Sequence, residues 1–307
     1  MTGLRACLLL LTAAHCLAGE ADVFTGEERT RMKAEFSQRV AAADAALAKD
    51  PKAIGAYSDR GDGYLFLGEY REAVADFEKM IALDPAQDAP HWRLGIAYFF
   101  AGDFAKSARQ FEKYHPYDGR DRENGIWKFL AQAKADGVEK ARAEMLVYTR
   151  FDREPFPSLY EMFAGKKSPG EVFAEVAKKD LTKDEDVIFF ANYYCGLEEE
   201  RRGHRARALE LLQKAVASPL GRGARGGPGY MWQVARLHWE RMKAEAEKPP
   251  PTRGGSAARP LSRARHGWDG AQSKDPGGAI THSAGTNRRD PSTPRPKRRS
   301  AQDDGAF

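Results

Sequence analysis

The chain has 307 residues, a formal net charge of +5 and a pI near 9.0. The basic charge is concentrated at the end, because residues 248–307 contain 12 lysines and arginines against 5 aspartates. Residues 1–247 therefore carry a net charge of −2, and the sequence predicts no specific nucleic-acid partner for them.

Residues 1–18 have the pattern of an export signal peptide. Arg5 supplies a short positive region, Ala6–Ala14 is apolar, and small residues near Ala18 suit a signal peptidase. Nine such residues are too few to cross a bilayer as a helix. The alternative is the first part of a packed helix, but Leu8–Leu11 has no amphipathic period. We therefore predict export to the periplasm or cell envelope of a bacterium.

Cleavage of this signal decides what the cysteines can do. A chain that begins after Ala18 keeps only Cys195 of the three cysteines, so no intramolecular disulfide is possible. Cys16 is a candidate for lipidation, as in bacterial lipoproteins, since Leu11–Ala14 precedes it suitably. His15 stands directly before it, where lipoproteins normally have a small residue. We expect membrane association only if Cys16 is lipidated.

The first helix is predicted from Thr25 to about Ala48. Thr25-Gly26-Glu27-Glu28 indicates its start, because acidic side chains in the first turn face the free amide groups of the helix. Asp50-Pro51 ends it. Apolar residues at spacings of three and four give it an inward face, formed by Phe36, Val40, Ala43 and Leu47.

A 34-residue period follows. Equivalent residues at this offset are Gly61 and Gly95, Tyr64 and Tyr98, Gly68 and Gly102, Phe77 and Phe111, and Pro51 and Pro85. The period and the spacing match the tetratricopeptide repeat (TPR), a helix-turn-helix unit that cannot bury its apolar face alone. Gly61 would allow close helix approach, and Gly68 a positive φ at a helix end. Repeats are predicted at 54–87 and 88–117.

Further helical units follow this pair. A degenerate repeat is predicted at 124–148, a non-repeat spacer at 149–186, and a returning repeat at 189–219. In the spacer, Ser168-Pro169-Gly170-Glu171 is typical of a helix start with a capping box. Residues 230–247 predict a last helix that covers the open end of the array.

Residues 248–307 form a tail rich in proline and glycine, with eight of each. Such a composition buries too little apolar surface to offset the entropy of ordering, so we predict disorder. Its arginine runs could attract nucleic acid, acidic polymers or lipid head groups. The alternatives are a functionless extension or a misread frame.

These elements predict an all-α fold. It is a right-handed superhelical array of TPR units over residues 25–247, with a helical spacer and a C-terminal capping helix, followed by the disordered tail.

No catalytic constellation is visible. The sequence lacks a phosphate-binding GxxxxGK[ST] loop, HExxH, CxxC and GxSxG. Histidines occur singly, and Cys195 falls at a repeat-core position, where a buried apolar role is expected. We therefore predict no enzyme activity, no metal site and no cofactor.

The inner helices of the array should instead line a groove for a protein or peptide partner. The register places six residues there: Asp62, Phe66, Trp92, Ile96, Phe100 and Tyr193. For neighbouring Leu65, Phe99 and Phe190, packing between repeats is an equal alternative. Lysine, asparagine and arginine pair with the terminal carboxylate of a bound peptide, and the inner positions hold none of them. Capture of such a carboxylate is therefore disfavoured.

The order of the parts resembles the bacterial exported TPR proteins of the NlpI type. The resemblance covers residues 25–240 and rests on 123–131 (ENGIWKFLA), 159–165 (LYEMFAG) with Glu171-Val172, and 192–197 (NYYCGL), besides the two good repeats. It implies an envelope adaptor that docks a hydrolase or a protease.

We thus expect an exported, non-enzymatic scaffold that binds a partner segment in its groove. The first alternative is a structural repeat module that self-associates into a homodimer. The second is an accessory domain of an enzyme whose catalytic residues belong to its partner.

Overall fold

The structure is a computed structural model, and it describes residues 22–221 and 227–247. Within these ranges the chain forms twelve α-helices and two short 3-10 turns, with no β-strand. The helices in chain order are α1 Gly26–Lys49, α2 Ile54–Leu67, α3 Tyr70–Leu83, α4 Trp92–Ala101, α5 Phe104–Tyr114, α6 Arg122–Asp136, α7 Val138–Ala143, α8 Phe156–Phe163, α9 Pro169–Lys178, α10 Glu185–Arg201, α11 Arg205–Ala217 and α12 Gly227–Glu247. The all-α prediction is confirmed.

Helix α1 begins where the sequence predicts it. The Thr25 hydroxyl accepts from the Glu28 amide at 3.1 Å, and the Glu28 carboxylate accepts from the Thr25 amide at 2.8 Å, which forms a capping box. The helix ends at Lys49, before Asp50-Pro51. Its buried residues are Phe36, Ala43 and Leu47.

Helices α2 and α3 form one TPR unit, and α4 and α5 form the next. A Cβ atom at Gly61 would lie 2.5 Å from Phe77, and one at Gly95 would lie 2.7 Å from Phe111. Only glycine therefore lets each helix pair approach so closely. Gly68 ends α2 in the left-handed region at φ +87°.

The later units depart from this pattern to different degrees. Helix α6 pairs with α7, which has only six residues, so the third unit is incomplete. In the following segment α8 is short, and α9 starts with a capping box between Ser168 and Glu171. Helices α10 and α11 restore the regular pair, with Gly196 packed against Leu212.

The last helix makes contacts beyond those of an end cap. Helix α12 packs against α11, as a cap would, but it also reaches the first elements of the array. Trp232 and Trp239 each contact Phe24 at 5.7 Å between ring centroids, and Arg29 pairs with Glu240 at 2.6 Å. Other helices therefore enclose α12, which does more than cover the end of the array. Its buried apolar residues are Met231, Trp232, Val234, Ala235, Leu237, Trp239 and Met242.

All described residues belong to one compact unit. The predicted signal peptide (1–18), with Cys7 and Cys16, and the predicted tail (248–307) lie outside the described residues. Among the helices of 22–221 and 227–247, none combines the length and apolar character that a membrane crossing requires.

Candidate functional site

Four of the residues predicted to line the groove meet the last helix. The ring centroids of Phe66 and Trp92 each lie 4.8 Å from that of Tyr230. Phe100 lies 4.7 Å from the His238 ring, and the Tyr193 hydroxyl lies 2.8 Å from His238 Nδ1. These four aromatic residues thus all contact α12, which covers most of the surface that they form.

The other two predicted residues are buried. Ile96 is 1% exposed and belongs to the core. Asp62 accepts from Arg93 Nη1 at 2.7 Å, and the same guanidinium donates to Ser58. Burial raises the pKa of Asp62, and the charge of Arg93 opposes that rise. Asp62 is therefore part of a buried ion pair.

Two polar residues hold α12 in place. Arg236 donates from Nη2 to the carbonyl oxygen of Phe66 at 2.8 Å and from Nη1 to Glu240 at 2.7 Å. Burial lowers the pKa of Arg236, and Glu240 counters this. Burial also holds the pKa of His238 well below its usual 6.5, so its ring is neutral where it meets Tyr193.

The apolar residues of α12 indicate this placement in the sequence, because they are not confined to one face of the helix. Trp232, Ala235 and Trp239 form one face of α12, but Tyr230, Met231, Val234, His238 and Met242 occupy the others. An apolar surface that extends this far around a helix indicates that other elements enclose it, whereas an end cap has a wide polar face.

Beside α12 a cavity of about 590 Å³ remains, between α4, α6 and α10 and the segment before α8. We call it the acidic pocket. Met231 is the residue that α12 contributes. Its aromatic lining is Trp92, Phe111, Trp127 and Phe190, and its polar lining is Asp121, Glu123, Asn124, Arg153, Glu154, Asp184 and Asp186.

Glu123 and Asp121 are the most perturbed carboxyl groups of the pocket. Burial raises the pKa of Glu123 to about 7, although Arg153 works against the rise. Glu123 accepts from the Tyr194 hydroxyl and from Arg153 Nη2, both at 2.5 Å. Burial likewise raises the pKa of Asp121 to about 6, again opposed by Arg153. Asp121 also caps α6 by accepting from the Glu123 amide.

Arg153 lies among carboxylates and aromatic rings. Besides Glu123, its guanidinium lies 3.4 Å from Asp152, and it stands 4.2 Å from the Phe156 ring centroid and 5.6 Å from that of Phe190. Its side chain remains 49% exposed, so solvent reaches the guanidinium. The sequence does not predict this cluster, because residues 121–123 have the pattern of a helix start and Arg153 lies in a proline-rich spacer.

The remaining candidates for chemistry have structural roles. Cys195 is fully buried, its Sγ lies 3.8 Å from Met162 Sδ, and burial raises its pKa. His91 caps α4 by accepting from the Leu94 amide at 3.2 Å, and burial lowers its pKa to about 3. Between residues 22 and 247, as far as they are described, no group of three metal-binding side chains is found.

No protein-family model and no curated protein sequence matches this chain. Three solved structures are similar in fold at low identity. The crystal structure of MamA has a TM-score of 0.36 at 16% identity and covers 72% of this chain and 98% of its own. YrrB, described as a TPR protein with an unusual peptide-binding site, has 0.35 at 18% identity, covering 66% and 84%. A TPR protein from Parabacteroides merdae has 0.42 at 13% identity, covering 70% and 80%.

Proposed function

We propose that this protein is a non-enzymatic scaffold that binds a segment of a partner protein on the inner face of its TPR helices. Trp92 carries this proposal: it contacts Tyr230 of α12 and also lines the acidic pocket. The aromatic surface thus continues beyond α12 into a cavity. Aromatic residues at such positions commonly supply much of the binding energy in protein interfaces.

The partner segment would bind beside α12. Phe66, Phe100 and Tyr193 lie under α12 and would act indirectly, by holding that helix in position. Trp92 is the predicted groove residue that would touch the partner directly. We further propose that the protein is exported and works in the bacterial envelope, as the signal-like residues 1–18 and the resemblance to the NlpI type indicate. A cell-wall hydrolase or a protease would be its partner.

Single substitutions in the full-length protein test this arrangement. The protein would be used to capture partners from envelope extract of its source bacterium, and bound proteins would be quantified by mass spectrometry. Trp92→Ala should reduce capture of a specific partner, whereas Lys79→Ala should not, because Lys79 is exposed on α3 and does not line the pocket. Equal capture by both variants would contradict the assignment of the inner face.

Phe100→Ala distinguishes two modes of partner binding: the partner binds beside α12, or it displaces α12. If the partner binds beside the helix, Phe100→Ala should leave capture nearly unchanged. If the partner replaces the helix, loosening α12 should strengthen capture. Circular dichroism must show nearly unchanged helical content in each variant, since Trp92 and Phe100 both contact α12.

Self-association is a second candidate, favoured by three large apolar side chains on the surface. Tyr117, Val147 and Phe151 are 53%, 77% and 73% exposed. Contiguous exposed apolar surface often marks protein contacts, so this candidate requires the three side chains to act together. Light scattering at several concentrations should then detect a dimer, and Val147→Ser with Phe151→Ser should weaken it. A monomer at all concentrations would eliminate this function.

A further inference from the structure

The large apolar side chains that are exposed in the described part of the chain lie on two irregular segments. Tyr117 belongs to residues 115–121, between α5 and α6, and Val147 and Phe151 belong to residues 144–155, between α7 and α8. Exposed apolar side chains that gather at one place often mark a contact surface.

The two segments are held together at the start of α6. The Arg122 amide donates to Asp152 Oδ2, and Arg122 Nη1 donates to the Arg150 carbonyl oxygen, both at 2.8 Å. The rings of His115 and Tyr148 meet edge to face, with 4.8 Å between their centroids. Each exposed apolar residue lies within two positions of a residue that makes one of these contacts, so the three side chains share one region of the surface.

The charges in this region differ in exposure according to their sign. The side chains of Arg120 and Arg153 are 52% and 49% exposed. Arg150 is exposed as well, and its guanidinium has no ion-pair partner among the described residues. The neighbouring carboxylates are more sheltered, with side chains that are 26%, 21%, 11% and 7% exposed in Asp118, Asp121, Glu123 and Asp152. An approaching anionic surface would therefore meet guanidinium groups before carboxylates.

We call the surface formed by Tyr117, Val147, Phe151, Arg120 and Arg150 the arginine-apolar face. Its composition suits the interface of an anionic bilayer, because apolar side chains can enter the boundary of the acyl chains while guanidinium groups pair with the phosphates. A second copy of the chain suits it less well, since two such faces would bring like charges together.

We propose that the arginine-apolar face binds the surface of an anionic phospholipid bilayer, with its apolar side chains inserted at the level of the head groups and Arg120 and Arg150 paired with phosphates. The inference goes beyond the proposed scaffold function, and it requires neither that function nor lipidation of Cys16.

Hydrogen exchange of the full-length protein with vesicles provides a measurement at the face itself. The amides of residues 146–151 donate no hydrogen bond to another backbone group in the described part of the chain, so they should exchange rapidly in the free protein. Vesicles of equal parts phosphatidylcholine and phosphatidylglycerol should slow this exchange, and vesicles of phosphatidylcholine alone should slow it much less. Protection of this segment distinguishes binding by the face from binding by the basic residues 248–307.

Substitutions in the same full-length chain identify the groups that bind, and sedimentation with the anionic vesicles measures partitioning. Val147→Ser with Phe151→Ser should weaken partitioning about tenfold. Arg150→Gln should weaken it about fivefold, as expected for one arginine near an anionic surface. Arg71→Gln is the matched control, because Arg71 is an exposed arginine of α3 outside the face. Its effect should be clearly smaller.

The proposal is overturned if anionic vesicles leave the exchange of residues 146–151 unchanged, if both kinds of vesicle slow it equally, or if Arg150→Gln and Arg71→Gln weaken partitioning equally. Protection that increases with protein concentration in the absence of vesicles would assign the face to a second copy and would also overturn it. None of these results bears on the scaffold function, which partner capture with Trp92→Ala tests separately.

Discussion

Arg236 of α12 donates a hydrogen bond from Nη2 to the backbone carbonyl oxygen of Phe66, at 2.8 Å and 170 residues away in the sequence. Phe66 lies on α2, in the first repeat, and its ring also contacts Tyr230. The last described helix is therefore held against the first TPR unit, and the two ends of the array are joined through it.

Arg236→Ala should lower the free energy of unfolding by about 3 kcal/mol, because it leaves the buried Phe66 carbonyl without a donor and Glu240 with Arg29 as its remaining cation. Urea denaturation measures the loss. Arg241→Ala is the control: its side chain is 38% exposed, and its pair with Glu200 should contribute about 1 kcal/mol or less. Equal losses would mean that α12 is not held by Arg236.

Removing Arg93 should also destabilise the protein. Arg93→Ala leaves the Asp62 carboxylate buried without its cation, which should cost about 3 kcal/mol. Arg39→Ala removes an exposed partner of Asp59 and should cost about 1 kcal/mol or less. Chemical denaturation of both variants provides the comparison, and a cost for Arg93→Ala as small as that for Arg39→Ala would show that Asp62 does not need its partner.

Gly61→Ala tests the close approach within the first repeat. The added Cβ would lie 2.5 Å from the Phe77 ring, so the helix pair must separate, at a cost of about 1–3 kcal/mol. Gly55→Ala, in the same helix, meets nothing within 4 Å and should leave stability unchanged or raise it by up to about 1 kcal/mol. Thermal unfolding distinguishes the two, and similar midpoints would contradict the packing.

Glu123 should make stability depend on pH. Burial raises its pKa to about 7 in the folded state, above the 4.5 of an unperturbed glutamate, so the folded protein binds the proton more tightly. The contribution of Glu123 is therefore fully present below pH 4.5 and is lost as the pH rises through 7. The loss should approach about 3 kcal/mol.

The measurement compares wild type with Glu123→Gln from pH 4.5 to 8. The difference removes the contribution of buried His91, whereas Asp121 and Arg153 contribute through their charge interaction with Glu123. Relative to wild type, the variant should gain stability as the pH rises through this range. A constant difference would show that Glu123 stays ionised throughout.

The sequence predicts the regular part of this fold because the repeat is local. A glycine at each helix crossing and another at each turn recur after 34 residues, as Gly61 and Gly68 do in Gly95 and Gly102. These residues act within one helix pair, so their spacing along the chain is sufficient to identify the unit. The capping boxes at Thr25 and Ser168 are local in the same sense.

The sequence by itself therefore determined the helix pairs and the glycine contacts within them. The position of α12 and the acidic pocket depend on tertiary structure. Arg236 meets Phe66, 170 residues away, only after the helices have stacked. Arg153 meets Glu123 through the irregular segment before α8, and neither residue carries a local pattern that predicts the contact. Burial then gives Glu123 its raised pKa, and burial is a property of the assembled helices.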